Sequence, residues 1–184
     1  MSNLFEYHEN VLDPELCRTI FNESLSLFNT GERVWSTSYH WELPYNSENF
    51  PWYIRDIDEV KSKEILTQLH AKGMIDDINK EYNVMSYVGT RLCYIPWHND
   101  GVWTEAVTIY LNEEWPADWG GLFLYKESFD DNKVSGYQPK FNCAIRQKQG
   151  DLPGVMHTVS AISTFSKCPR ITIQIFPRKY KHGQ

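Results

Sequence analysis

The chain predicts a mainly β fold with some α: a double-stranded β-helix (jelly roll) core buttressed by N-terminal helices. Three observations predict it. Helix-type apolar spacing is confined to the first 83 residues, and short β-type runs between turn formers fill the remainder. Aromatic side chains make up 15% of the chain, with seven Trp and eleven Tyr, and bulky flat groups suit a sandwich interior or a substrate cleft.

The elements follow in order. Asp13-Pro14 opens the first helix, because Asp caps free amides and Pro fits the first helical position. Leu16, Ile20, Leu25, Leu27 and Phe28 form its apolar face, and Asn29-Thr30-Gly31 ends it. Residues 35–53 are irregular and aromatic, a candidate wall or lid for a cleft. A second helical stretch covers about 58–82, with Ile65, Leu66, Leu69, Ile75 and Ile78 on its apolar side and Gly73 as a break. Strands are expected at 84–88, 90–95, 104–111, 121–126, 142–145, 156–162 and 170–176, with 128–140 as a second wall or lid segment. With no repeat or linker, 1–184 reads as one domain: helical support over about 1–83 and the jelly-roll core over about 84–178.

Composition excludes several classes. A net charge of −6 argues against a nucleic-acid partner, which clustered Lys and Arg usually recruit. No apolar stretch reaches membrane-spanning length and the first thirty residues lack a signal-type core. Cys17, Cys93, Cys143 and Cys168 are widely spaced, without a Cys-x-x-Cys pair, so a reducing cytoplasm is the expectation.

The chemistry concentrates in three residues and an arginine. His98 and Asp100 stand two apart in Tyr94-Ile95-Pro96-Trp97-His98-Asn99-Asp100-Gly101, a spacing that puts both on one face of a strand. Asn99-Asp100-Gly101 supplies a turn that would let them converge. His157 follows in Gly154-Val155-Met156-His157, and Arg170 opens the last apolar run. Two imidazoles and one carboxylate with open positions form the ligand set of non-heme Fe(II) oxygenases. A His-x-Asp alone is a weak pattern, and His8, His40, His70 and His182 read as ordinary core or surface residues.

The neighbouring words strengthen the reading. Tyr110-Leu111-Asn112, Trp115, Gly120-Gly121, His157 and Arg170 follow His-x-Asp in order. In this the chain resembles the prolyl 4-hydroxylase-like family of Fe(II)/2-oxoglutarate dioxygenases, well over 84–178 and in outline before that. The resemblance implies His98, Asp100 and His157 as iron ligands and Arg170 as the partner of the distal carboxylate of 2-oxoglutarate. It implies Tyr110 as support for that carboxylate and Tyr87 as a second tyrosine near the co-substrate, while Thr172 shares a strand face with Arg170. Arg170 stands 13 positions after His157, a few more than in the family pattern, with 163–169 enlarging the turn. Arg178 is the rival cation, but eight residues further along a strand is about 26 Å.

The implied activity is hydroxylation of a substrate C–H bond, with oxidative decarboxylation of 2-oxoglutarate to succinate and CO2. It would need Fe(II), 2-oxoglutarate and O2, with ascorbate as a reductant. A prolyl residue of a peptide or protein is the first substrate class, and a free amino acid or other small molecule the second. A zinc hydrolase would share the three ligands, and a non-enzymatic jelly-roll binding module would share the fold.

Overall fold

Antiparallel pairing assembles eleven strands into two sheets, drawn here from a computed structural model that describes residues 4–31, 36–38, 52–100, 105–127, 132–148 and 155–178. In chain order the elements are β1 (Phe5–Glu9), α1 (Pro14–Thr30), β2 (Ser36–Ser38), β3 (Trp52–Asp56), α2 (Glu59–Ala71), β4 (Tyr82–Gly89), β5 (Ile95–His98) and β6 (Ala106–Tyr110). A 3-10 turn at Ala117–Trp119 precedes β7 (Phe123–Lys126), β8 (Ser135–Tyr137), β9 (Cys143–Gln147), β10 (Met156–Val159) and β11 (Arg170–Pro177). The large sheet runs β1-β9-β6-β11-β4-β3-β2 and the small one β5-β10-β7-β8. Two antiparallel sheets with few helices are the jelly-roll arrangement expected from the strand-rich second half.

Alternation along β11 organises the interior. Ile171, Ile173 and Ile175 point one way, into an apolar cluster with Leu16 and Ile20 of α1 and Ile65 and Leu69 of α2. Arg170, Thr172 and Gln174 therefore take the other face, toward the gap between the sheets. Register carries that face sideways: Tyr87, Thr172, Tyr110 and Cys143 are successive partners across β4, β11, β6 and β9. A slip of one residue would exchange this polar row for isoleucines.

Both helices start as the sequence implies. Asp13 Oδ1 accepts from the amides of Glu15 at 2.8 Å and Leu16 at 3.2 Å, and Asp58 Oδ1 accepts from Lys61 at 3.0 Å. The second helix is shorter than its apolar pattern. It stops at Ala71, Gly73 turns to φ +68, and Arg146 Nη1 donates to the Gly73 carbonyl at 3.0 Å. Met74 and Ile75 still reach the core from that non-helical stretch.

Three further readings are corrected. The stretch read as helical support also supplies β1, β2 and β3, all part of the large sheet. Residues 90–94 form a turn instead of a strand, with Leu92 at φ +69 and Cys93 N–H donating to the Thr90 carbonyl at 3.1 Å. The expected lid segment 128–140 contains β8. Most of the aromatic stretch 35–53 lies outside the described residues, as do 128–131, Gly101 and Lys179-Tyr180-Lys181. Among the described residues no helix is long and apolar enough to cross a membrane, and all four cysteines are free thiols.

Candidate metal and carboxylate site

Strand pairing in the small sheet brings the two histidines together. His98 ends β5 and is the direct register partner of His157 on β10, so both side chains leave the same face. Their ring centroids are 4.1 Å apart. Asp100 lies just past the end of β5. Its Oδ1 is 3.4 Å from His98 Nε2 and its Oδ2 is 3.7 Å from His157 Nε2. One donor atom from each of the three residues falls within 4.8 Å of the others, a geometry able to surround a single cation.

The imidazoles are oriented by their surroundings. His98 Nδ1 lies 2.7 Å from the Pro96 carbonyl, a contact that holds the ring with Nε2 facing Asp100. Phe123 stacks on the His157 ring at 5.3 Å, and Phe5 meets it edge-on at 5.7 Å. Burial, more than the nearby charges, holds the His157 pKa down at about 4, so the ring is neutral and ligand-competent at pH 7. Burial pushes Asp100 upward, but the hydrogen bond from His98 and the charges of both histidines outweigh it and hold its carboxyl below the ordinary range.

Across the gap the electrostatics reverse. Arg170 is 1% exposed, and its Nε and Nη2 are buried with no hydrogen-bond partner. Two rings flank the guanidinium, Tyr110 at 5.1 Å and Trp52 at 5.5 Å. The Tyr110 hydroxyl is likewise buried without a partner. Desolvation lowers the Arg170 pKa, opposed by the Tyr110 phenol, and burial raises Tyr110 to about 12 in spite of the adjacent cation. Unpaired buried charge is costly, and a donor fork flanked by a phenol matches a carboxylate. Gly121 permits the arrangement: its φ is +61, and a Cβ there would lie 2.9 Å from Arg170 Cδ.

A cavity of about 120 Å³ joins the two halves, with His98, Asp100, His157, Arg170 and Tyr87 all on its wall. Tyr87 feels both burial and the Asp100 charge, which push its phenol up to about 12. Tyr110 and Thr172 sit behind the wall. Tyr110 packs against Arg170, while Thr172 is fully buried between Tyr87 and Tyr110 and lies 3.5 Å from Gln174 Nε2.

Sequence reasoning did not single out Trp52, Gln147 or Gln174 as site residues, and all three line the cavity. Strand parity could have found Gln174, four positions beyond Arg170 on the same face. Trp52 packs where a Cβ on Gly89 would stand, 2.4 Å from its ring, and its Nε1 donates to the Tyr94 carbonyl at 3.1 Å. Asn112, third in the Tyr-Leu-Asn word, fixes the start of β11 by accepting from Ile171 N–H at 2.8 Å and donating to the Pro169 carbonyl at 2.9 Å.

No protein-family model and no curated protein matches the sequence. Solved structures do match: the fold is that of 2-oxoglutarate Fe(II) oxygenases. A Pseudomonas putida prolyl-4-hydroxylase superposes with a TM-score of 0.65 at 14% identity, over 96% of this chain and 92% of that one. A Trichoplax adhaerens prolyl hydroxylase in complex with a hypoxia inducible factor oxygen degradation domain peptide fragment gives 0.69 at 18% identity, over 96% and 84%. HygX from Streptomyces hygroscopicus, with nickel and 2-oxoglutarate bound, gives 0.60 at 11% identity, over 95% and 83%.

Proposed function

We propose that residues 1–184 form one Fe(II)- and 2-oxoglutarate-dependent dioxygenase domain that hydroxylates a substrate C–H bond. A prolyl residue of a peptide or protein is the leading substrate class. One observation carries this: a converging His98–Asp100–His157 set and the buried, unpartnered guanidinium of Arg170 share one cavity. The peptide bound to the Trichoplax neighbour supports the substrate class. The free thiols suit the reducing cytoplasm in which we place the protein.

In this reading His98, Asp100 and His157 hold the metal. Asp100 supplies the only negative charge of the set, and two neutral imidazoles leave the ion net positive and able to take an anionic 2-oxo acid. Arg170 Nε and Nη2 with Tyr110 Oη receive the distal carboxylate, which satisfies all three buried atoms at once. Thr172 supports that row from beneath, and Tyr87 flanks the co-substrate on the Asp100 side. Fe(II) at this site supplies activation of O2 coupled to conversion of 2-oxoglutarate to succinate and CO2. Phe123, Val159 and Ile95 on the cavity wall exclude water from the reacting centre.

A zinc hydrolase would use the three ligands but leave the Arg170 guanidinium without a role. Aerobic incubation with Fe(II), ascorbate and 2-oxoglutarate tests the reading, with succinate as the expected product. Zinc uptake without 2-oxoglutarate binding would replace it by the hydrolase. Iron uptake without succinate, in the presence of peptides and amino acids, would replace it by a binding module.

A further inference from the structure

The turn between β10 and β11 is longer than the family pattern, and the cavity chemistry makes no use of its extra residues. It carries Phe165, at 81% the most exposed large apolar side chain among the described residues. Hydrogen bonds fix this turn from several sides. Ser163 N–H donates to the Trp119 carbonyl at 2.8 Å, and Ser163 Oγ accepts from Phe165 N–H at 3.1 Å. Arg91 Nε donates to the Ser166 carbonyl at 3.0 Å. Alongside, Leu92 is 41% exposed in the left-handed region at φ +69, its N–H donating to the Ile162 carbonyl at 2.8 Å. Scattered exposed apolar residues need no explanation, but a strained leucine and a pinned phenylalanine beside a groove mark a contact surface.

The same turn forms one wall of a surface groove of about 370 Å³, against about 120 Å³ for the metal cavity. Phe21, Leu111 and Trp119 give the groove an apolar lining, while the exposed Lys167 and Glu114 also border it. Those two charges are opposite in sign, yet neither has an ion-pair partner among the described residues. Cys168 on the same wall is no reactive centre. Burial pushes its thiol up, against a hydrogen bond from Asn112 and together with the Glu114 charge.

The occupant follows from finding both halves of a contact on one face. An aromatic projection, an aromatic-floored groove, an unpaired cation and an unpaired anion lie side by side, the pattern of a two-fold, self-complementary interface. An anionic lipid surface would accept Phe165 and Lys167 but meet Glu113 and Glu114 at the groove. We infer that this face joins two copies of the chain. Phe165 of each copy enters the groove over Phe21 and Trp119 of the other, and Lys167 of each pairs with Glu114 of the other. The pinned turn lowers the ordering cost of that contact. Neither half of it depends on what the cavity catalyses.

Sedimentation velocity of the full chain from about 1 to 100 µM should show a monomer–dimer equilibrium. Phe165→Asp should raise the dimer dissociation constant about 100-fold or more, since each dimer loses two aromatic anchors. At 81% exposure the ring supports little of its own chain, so thermal unfolding of the monomer should stay unchanged. Lys167→Glu and Glu114→Lys should each weaken the dimer about tenfold, and combining them should restore it to within about threefold of wild type. Rescue by exchanged charges reports the pairing itself, which a merely disturbed surface would not show. A chain monomeric throughout, a dimer untouched by Phe165→Asp, or charge variants without effect or without rescue would each overturn the inference. Monomeric protein that floats with anionic lipid vesicles through Phe165 would replace it by a membrane contact.

Discussion

The two walls of the cavity solve opposite electrostatic problems. On the small sheet, His98, Asp100 and His157 lie within contact of one another, so the carboxylate has partners before any ligand arrives. On the large sheet, Arg170 is more deeply buried and has aromatic rings where a counter-ion would be expected. A cluster that compensates itself can wait empty at little cost, whereas an isolated cation in a dry pocket weakens the fold until an anion binds. The asymmetry assigns the roles: one wall is built to hold a cation, the other to demand a carboxylate.

The largest expected effect comes from breaking the self-compensated wall. Asp100→Ala removes its only anion and should reduce Fe(II) affinity and succinate release more than 100-fold, beyond the roughly 10–100-fold typical of outer-shell changes. Metal content after desalting and succinate assayed in parallel check this, and iron retained at wild-type level would contradict the assignment.

Arg170→Met probes the other wall, and its two readouts should move in opposite directions. Affinity for 2-oxoglutarate should fall by about 3–5 kcal/mol, or roughly two to four orders of magnitude, because the carboxylate loses its charged partner. Stability without ligand should rise by about 1 kcal/mol, because an unpaired buried cation is gone. Calorimetric titration and thermal unfolding separate the two, and a destabilised ligand-free variant would show that Arg170 has a counter-charge after all.

The metal-free protein should also respond to acid through His157. Its folded pKa of about 4 lies below the ordinary 6.5, so between those values the unfolded chain binds a proton that the folded chain refuses. Stability is therefore fully present above pH 6.5 and falls as pH descends toward 4, by about 3 kcal/mol in all. Asp100, with its lowered pKa, adds loss only at still lower pH. Denaturant unfolding across pH 4–7, repeated with His157→Gln, should show the slope and then its removal.

The smallest effect sharpens the anion side. Trp52→Leu takes one ring from the guanidinium and should raise the Kd for 2-oxoglutarate about fivefold, while Trp52→Phe keeps a ring and should stay within about twofold. Equal losses in both variants would mean that Trp52 acts through Gly89 packing and not through the cation.

What the sequence made legible was local chemistry. The Asp13-Pro14 cap and the i, i+2 faces of β11 depend on neighbours in the chain, and the structure has them as read. The triad and Arg170 were visible because their residue types are rare in that order. Pairing was much less legible. Phe5–Glu9 became a strand because β9 lies beside it, a partner about 140 residues away that no local pattern announces. Trp52 and Gln147 entered the site for the same reason, placed by strand neighbours and not by words in the sequence. The second helix was overrun because Ile75 and Ile78 continue its apolar spacing past the Gly73 turn that ends it.

The distant pairing of β1 with β9 also sets a timetable. Phe5 meets Gln147 in the ladder and lays its ring against His157, so β1, made well before β9, is among the last of these strands to dock. Such a closure is slow, because chain entropy is lost before the contact is gained. During synthesis the leading segment must remain unpaired, its strand edge exposed, until β9 has emerged. A bulky group joined just ahead of β1 would act on that interval, lowering the yield of correctly closed protein while leaving unaffected the activity of each molecule that closes.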